Sequence, residues 1–111
     1  MKRVDDPTGE ASWRGRAFRR DFAGDAERHQ FFADQIVLQK GTITLITGGT
    51  MQGEHPNTTA NRPGETLGSG IEGGKETTLH AGDIVRIPAG IPHWVKVAPG
   101  TTTTYLVFKE K

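Results

Sequence analysis

Cysteine is absent from this 111-residue chain, which excludes disulfides, thiolate metal sites and cysteine nucleophiles while leaving the compartment open. Long apolar runs are missing too. None approaches the roughly 20 residues that a membrane-crossing helix needs, so no membrane partner is expected. Nor does an apolar segment follow Met1-Lys2-Arg3, where Asp5 and Asp6 stand instead. No signal peptide is therefore expected, and localisation stays open between the cytoplasm and secretion after processing. Neither sign of charge dominates: 14 lysines and arginines against 13 aspartates and glutamates give a net charge of +1. That balance offers no electrostatic case for a nucleic-acid partner. Helical periodicity and internal repeats of about 20 to 50 residues are also lacking. Against these absences stand 15 glycines and a hydrophobic fraction of 33%, a composition that fits many short strands, tight turns and one small core. The expectation is a single all-β domain over residues 1–111.

The densest local signal is Gly82-Asp-Ile-Val-Arg-Ile-Pro88-Ala-Gly90-Ile-Pro92-His93. Val85 and Ile87 lie two apart, with Ile84 and Arg86 on the other parity, so one face of a short strand is apolar. Pro88-Ala89-Gly90 interrupts the ladder, since proline lacks a donor and glycine accepts positive φ. Beyond that turn His93, Val95 and Val97 share a face, and Trp94 and Lys96 take the opposite one. A histidine is thus placed among apolar side chains beside a rigid turn, where an all-β protein would hold a metal ligand or a base.

Residues 1–11, polar and containing Pro7 and Gly9, read as a flexible arm or an added edge strand. Between Trp13 and Ala23 a strand with Phe18 and Phe22 on one face is expected. Arg20 would share that face, although arginines on a solvated face paired with Asp21 and Asp25 are the simpler expectation. After the Gly24-Asp25 turn, Asp34 lies on the parity of Ile36 and Leu38, a carboxylate on an apolar face. Gly41 permits a hairpin, and Thr42–Thr47 returns as a strand with Ile43 and Leu45 inward. Residues 50–75 are rich in glycine, proline, threonine and asparagine and read as a long loop covering one barrel end or forming a dimer contact. His55 within it and His80 before the next turn read as surface histidines. Glu76–His80 and Thr101–Phe108 are predicted strands, the last followed by a charged Lys109-Glu110-Lys111 tail.

The glycine, five residues, proline, one residue, glycine, two residues, histidine pattern of Gly82, Pro88, Gly90 and His93 resembles the second motif of the cupin family. Val97 stands where that motif ends in asparagine. The family's first motif is histidine, one residue, histidine, three or four residues, glutamate, six residues, glycine. Here His29 and Gly41 match it, with Asp34, one methylene shorter, at the glutamate position and Glu27 at the first histidine position; the preceding glycine is displaced, Asp21 standing in its place and Gly24 nearby. The resemblance implies a jelly-roll β-barrel, and small cupins commonly pair as homodimers through edge strands.

It further implies that His29, Asp34 and His93 converge as metal ligands at one barrel end, with Glu27 as a fourth ligand or as a catalytic acid or base. Such a set suits one divalent iron, copper, manganese, nickel or zinc ion per chain. Two histidines and a carboxylate with open positions typify non-haem iron oxygenases, so the leading expectation is an oxidoreductase using oxygen or peroxide on a small-molecule or carbohydrate substrate, including copper-dependent polysaccharide cleavage. The alternatives are a metal-free small-molecule-binding or sensor cupin and a Lewis-acid lyase or isomerase. Gln30, Gln35 or Tyr105 could orient an imidazole. Phe31 and Phe32 are expected at the mouth, one of them in the core, and Trp94 at a subunit interface.

Overall fold

The computed structural model describes residues 13–20 (backbone only), 24–58, 63–98 and 101–110. The Arg20 and Phe18 side chains, Phe22, and the arm of residues 1–11 lie outside the described residues. Among the described residues there are twelve strands and no helix. They are β1 (Trp13–Arg20), β2 (Ala26–His29), β3 (Ala33–Lys40), β4 (Thr42–Thr47), β5 (Thr50–Gln52) and β6 (His55–Pro56). There follow β7 (Glu65–Gly68), β8 (Gly70–Glu72), β9 (Lys75–His80), β10 (Ile84–Ile87), β11 (His93–Lys96) and β12 (Thr103–Glu110). One antiparallel sheet runs β1-β12-β3-β10, a second β6-β7-β2-β11-β4-β9, and β5 pairs with β8 alone. The two large sheets pack as a jelly-roll sandwich.

The alternation read from the sequence sets the main core. Ile36 and Leu38 of β3, Ile43 and Leu45 of β4, Leu79, Ile87, Val97, Tyr105 and Val107 form one buried cluster. Val97 fills this core where the family motif has asparagine, a polar group that would need a partner there. Gly41 closes the β3–β4 hairpin at φ 87°; a Cβ there would lie 2.8 Å from Thr103 Cγ2 and 2.9 Å from the Thr102 carbonyl. Only glycine meets both demands without strain.

Residues 50–75 depart from the loop expectation. Among its described residues four short strands precede β9: β7 extends the second sheet beside β2, β6 pairs with β7, and β5 and β8 form a separate pair. Met51 lies opposite Ile71 in the last pair, and both join Ala26 and Ile46 in a second buried cluster against which Trp94 packs. Threonines and glycines obscured these strands in the sequence, because each is too short to show a period of its own.

Candidate functional site

Cross-strand pairing assembles the polar cluster at one end of the sandwich. His93 on β11 stands opposite Glu27 on β2, and His29, two residues along β2, stands opposite Glu65 on β7. Asp34 on β3 lies opposite Lys109 on β12 and, on its other side, Ile87. Directly opposed side chains on one sheet face interact, so three neighbouring pairs bring six ionisable groups together. Gly90, at φ 84°, fixes the turn before β11, and its N–H donates to the His29 carbonyl at 2.7 Å. That bond ties the two histidine-bearing strands at the site itself.

His29, Asp34, Glu65 and His93 are buried, and Glu27 is half-buried. The His29 Nε2 lies 3.1 Å from Asp34 Oδ2 and 3.4 Å from Glu27 Oε2. The His93 Nε2 lies 3.3 Å from the same Asp34 oxygen and 3.8 Å from the same Glu27 oxygen. The two rings are 5.1 Å apart at their centroids. Both Nδ1 atoms face acceptors instead: Glu65 Oε1 at 3.1 Å for His29 and the Ile91 carbonyl at 3.3 Å for His93. Asn57 Nδ2 donates in turn to the other Glu65 oxygen. An Nδ1–H given to each acceptor leaves each Nε2 turned toward the two carboxylates, as a lone pair or as a second N–H.

Lys109 completes the cluster. Its ammonium donates to Asp34 Oδ1 at 2.9 Å and lies 3.2 Å from His29 Nε2. Thr103, Tyr105 and Val107 precede it on the inward parity of β12 and are buried, so the strand carries the lysine stem into the interior and its head to the polar end. Without an ion, three carboxylates face two imidazoles and one ammonium, and the charges balance when both imidazoles are protonated.

That protonation is what the surroundings favour. Burial pushes the His93 imidazole down, but hydrogen bonds to Asp34 and Glu27, with their charges, prevail and hold it at about 9. Burial likewise opposes charge on His29, and the same two carboxylates raise it while Lys109 opposes them. Asp34 and Glu27, which burial alone would raise, are held well below the usual carboxylate range by the two imidazoles, Asp34 also by Lys109.

A metal ion could replace the two imidazole protons. Among the described residues, Glu27, His29 and His93 each offer a ligand atom, all within 4.8 Å of one another. A tetrahedral ion with bonds of about 2.1 Å separates its ligand atoms by about 3.4 Å, close to the 3.4 and 3.8 Å between the two Nε2 atoms and Glu27 Oε2. These three side chains offer donor types that suit a divalent transition ion, with Asp34 beside them.

All four residues singled out from the sequence, Glu27, His29, Asp34 and His93, are thus brought together. Glu65 and Lys109 were missed, the first inside the presumed loop and the second inside the charged tail. Of the residues expected to support an imidazole, Gln35 donates to Glu110 Oε2 at 3.4 Å and Tyr105 belongs to the main core; Glu65 does that work for His29. Phe31 is exposed and Phe32 half-buried, so neither is in the core. His55 and His80 are exposed as expected. Trp94 does face away from His93, but the chain's own β5–β8 pair covers it, and its Nε1 donates to the Gly24 carbonyl at 2.8 Å. One side of Trp94, expected at an interface, is therefore taken by an intramolecular cluster, and the side chain stays half-buried.

No protein-family model matches the chain, and no curated protein matches it. Solved structures do. The protein BH2720 of Bacillus halodurans superposes with a TM-score of 0.59 at 13% identity, over 89% of this chain and 63% of that one. The Drosophila melanogaster CENP-C cupin domain gives 0.60 at 12% identity, over 95% and 65%. CENP-C of the same fly bound to CAL1 gives 0.58 at 11% identity, over 95% and 70%. The chain thus spans under two thirds of the first two. With its jelly-roll sheets and the histidines of both motifs side by side, this chain has the cupin fold.

Proposed function

We propose that this chain is a metal-dependent cupin in which His29, His93, Glu27 and Asp34 hold one divalent transition ion, and that it acts as an oxidoreductase on a polar small molecule or carbohydrate. The observation that carries the metal site is the anchoring of both imidazoles. A metal-ligating histidine donates its other ring N–H to a carboxylate or backbone carbonyl, which fixes its tautomer and orientation. Glu65 and the Ile91 carbonyl stand in those places. The ion would supply redox chemistry with oxygen or peroxide. Glu27, the most exposed donor, is the group placed to move a proton at the mouth. A groove of about 510 Å³, lined by Arg28, Gln30, Pro56, Asn57, Pro63, Gly64, Glu65, Thr66 and Gly90, shares Glu65 with the cluster and offers polar and apolar surface to a small substrate. Ile84, 63% exposed on the edge strand β10, supports pairing of two copies.

A second reading, a metal-free ligand-binding module, is favoured by the charge balance of the cluster without an ion, and a neighbour of the same fold captured with a partner protein supports a binding role. The test is oxygen consumption by protein loaded separately with iron, copper, manganese, nickel and zinc, screened against polar small molecules and oligosaccharides. Turnover with iron or copper and none with zinc is expected. Equal turnover with zinc would replace the redox assignment by Lewis-acid chemistry, and inactivity of every form, with tight ligand binding to the metal-free protein, would establish the binding module instead.

A further inference from the structure

We propose that Lys109 is a resident cation of this site: its ammonium lies against Asp34 and His29 in the space a divalent ion would share, so metal binding proceeds by its displacement. The inference rests on the metal-site reading above and deepens it. Three observations carry it. The Nζ is 3.2 Å from His29 Nε2, an atom the ion would take, and 2.9 Å from Asp34 Oδ1, the partner of the oxygen that faces the imidazoles. The register of β12 against β3 sets Lys109 directly opposite Asp34, so the contact is built into the sheet. The side chain is 19% exposed, which leaves the flexible stem a route to solvent.

An ammonium beside His29 Nε2 takes space the ion would need and repels it. At about 4 Å a unit charge still acts strongly on a divalent ion in a partly buried site. Asp34 is drawn between the two cations. In the metal-free chain Lys109 prevents the three carboxylates from depending wholly on protonated histidines, and the affinity for metal is correspondingly lowered. Methionine, unbranched, uncharged and one heavy atom shorter, would remove the competitor while keeping most of the stem's packing.

The experiment is isothermal titration of zinc and of manganese into metal-free wild-type, Lys109→Met and Lys109→Arg proteins, with circular dichroism to confirm folding. Lys109→Met should bind at least about tenfold more tightly than wild type, and Lys109→Arg should stay near wild type. Should wild type bind metal and a folded Lys109→Met bind no more tightly, the resident-cation proposal fails while the metal site stands. If neither binds, both fail. Tight binding by Lys109→Met alone supports the proposal and shows that the native chain is kept metal-free by its own lysine. A measurement on unsubstituted protein covers the case of a variant that does not fold. The Lys109 side-chain NMR signals, assigned from their absence in Lys109→Arg, should move when zinc is added. Zinc binding with those signals unmoved would overturn the proposal.

Discussion

Replacing Asp34 by asparagine isolates the electrostatics of the cluster, because the two side chains have nearly the same shape. The carboxylate meets the Lys109 ammonium at 2.9 Å and the His29 and His93 imidazoles at 3.1 and 3.3 Å, and it is only 3% exposed. Removing one member of a buried ion pair costs about 3–5 kcal/mol, since the remaining charge is left uncompensated. Here up to three cations lose their shared partner while Glu27 and Glu65 remain, so a loss of about 3 kcal/mol in metal-free protein at pH 6 is expected. That is a large part of the roughly 5–15 kcal/mol available to a small domain. The loss must depend on pH. His93 titrates at about 9 in the folded chain, and once it is neutral Asp34 has less charge to satisfy. Urea denaturation at pH 6 and at pH 9.5, with His93 followed by NMR, measures both effects. The variant should lose less stability at the higher pH, and its His93 should titrate lower than in wild type. An unchanged midpoint at pH 6, or a loss equal at both pH values, would show that Asp34 acts through packing and would refute the reasoning.

Further outcomes follow from the same geometry. Because His93 is raised above its ordinary 6.5 to about 9, its contribution to metal-free stability is complete below about 6.5. It is lost as pH climbs through 9, at roughly 3 kcal/mol for that interval. Glu27 and Asp34, held low, contribute above about 4.5 and lose that contribution on acidification. Melting temperatures should therefore peak between about pH 4.5 and 6.5 and fall on both sides; a flat profile from pH 6 to 10 would contradict the charged cluster. Glu65→Gln should leave the fold intact and weaken metal affinity by about 10- to 100-fold, the usual cost of losing the group that orients a ligating histidine, read by competition with a metal-binding dye. Trp94→Ala should cost about 3 kcal/mol by opening the second core cluster and leave the mass in solution unchanged by sedimentation; a change of oligomeric state would restore the subunit-interface role.

The strands around the site were legible because their alternation is strong. Asp34, Ile36 and Leu38 on one parity, and His93, Val95 and Val97 on another, place a carboxylate and an imidazole inside from the sequence alone. The turn at Pro88–Gly90 was legible for the same local reasons. What remained hidden depends on register, which single-strand patterns do not carry. Glu65 sits on a four-residue strand in a stretch of turn-forming residues, and only its pairing with His29 gives it a role. Lys109 could have been found, since Thr103, Tyr105 and Val107 extend an inward parity straight to it, but its charged neighbours suggested a solvated tail. Trp94's direction followed from parity alone. What covers it did not, because β5 and β8 are three residues each and their apolar pair, Met51 and Ile71, is twenty residues apart in sequence.

The central claim, a metal centre held by both imidazoles, is tested most directly by metal stoichiometry. Metal-free wild type, His29→Ala and His93→Ala are each equilibrated with iron, copper, manganese, nickel or zinc, freed of excess ion, and measured by elemental analysis. Close to one ion per chain in wild type with at least one of these metals, lost in both variants while they remain folded, is the expected result. Retention of metal by both variants, or none in wild type under any loading, would contradict it.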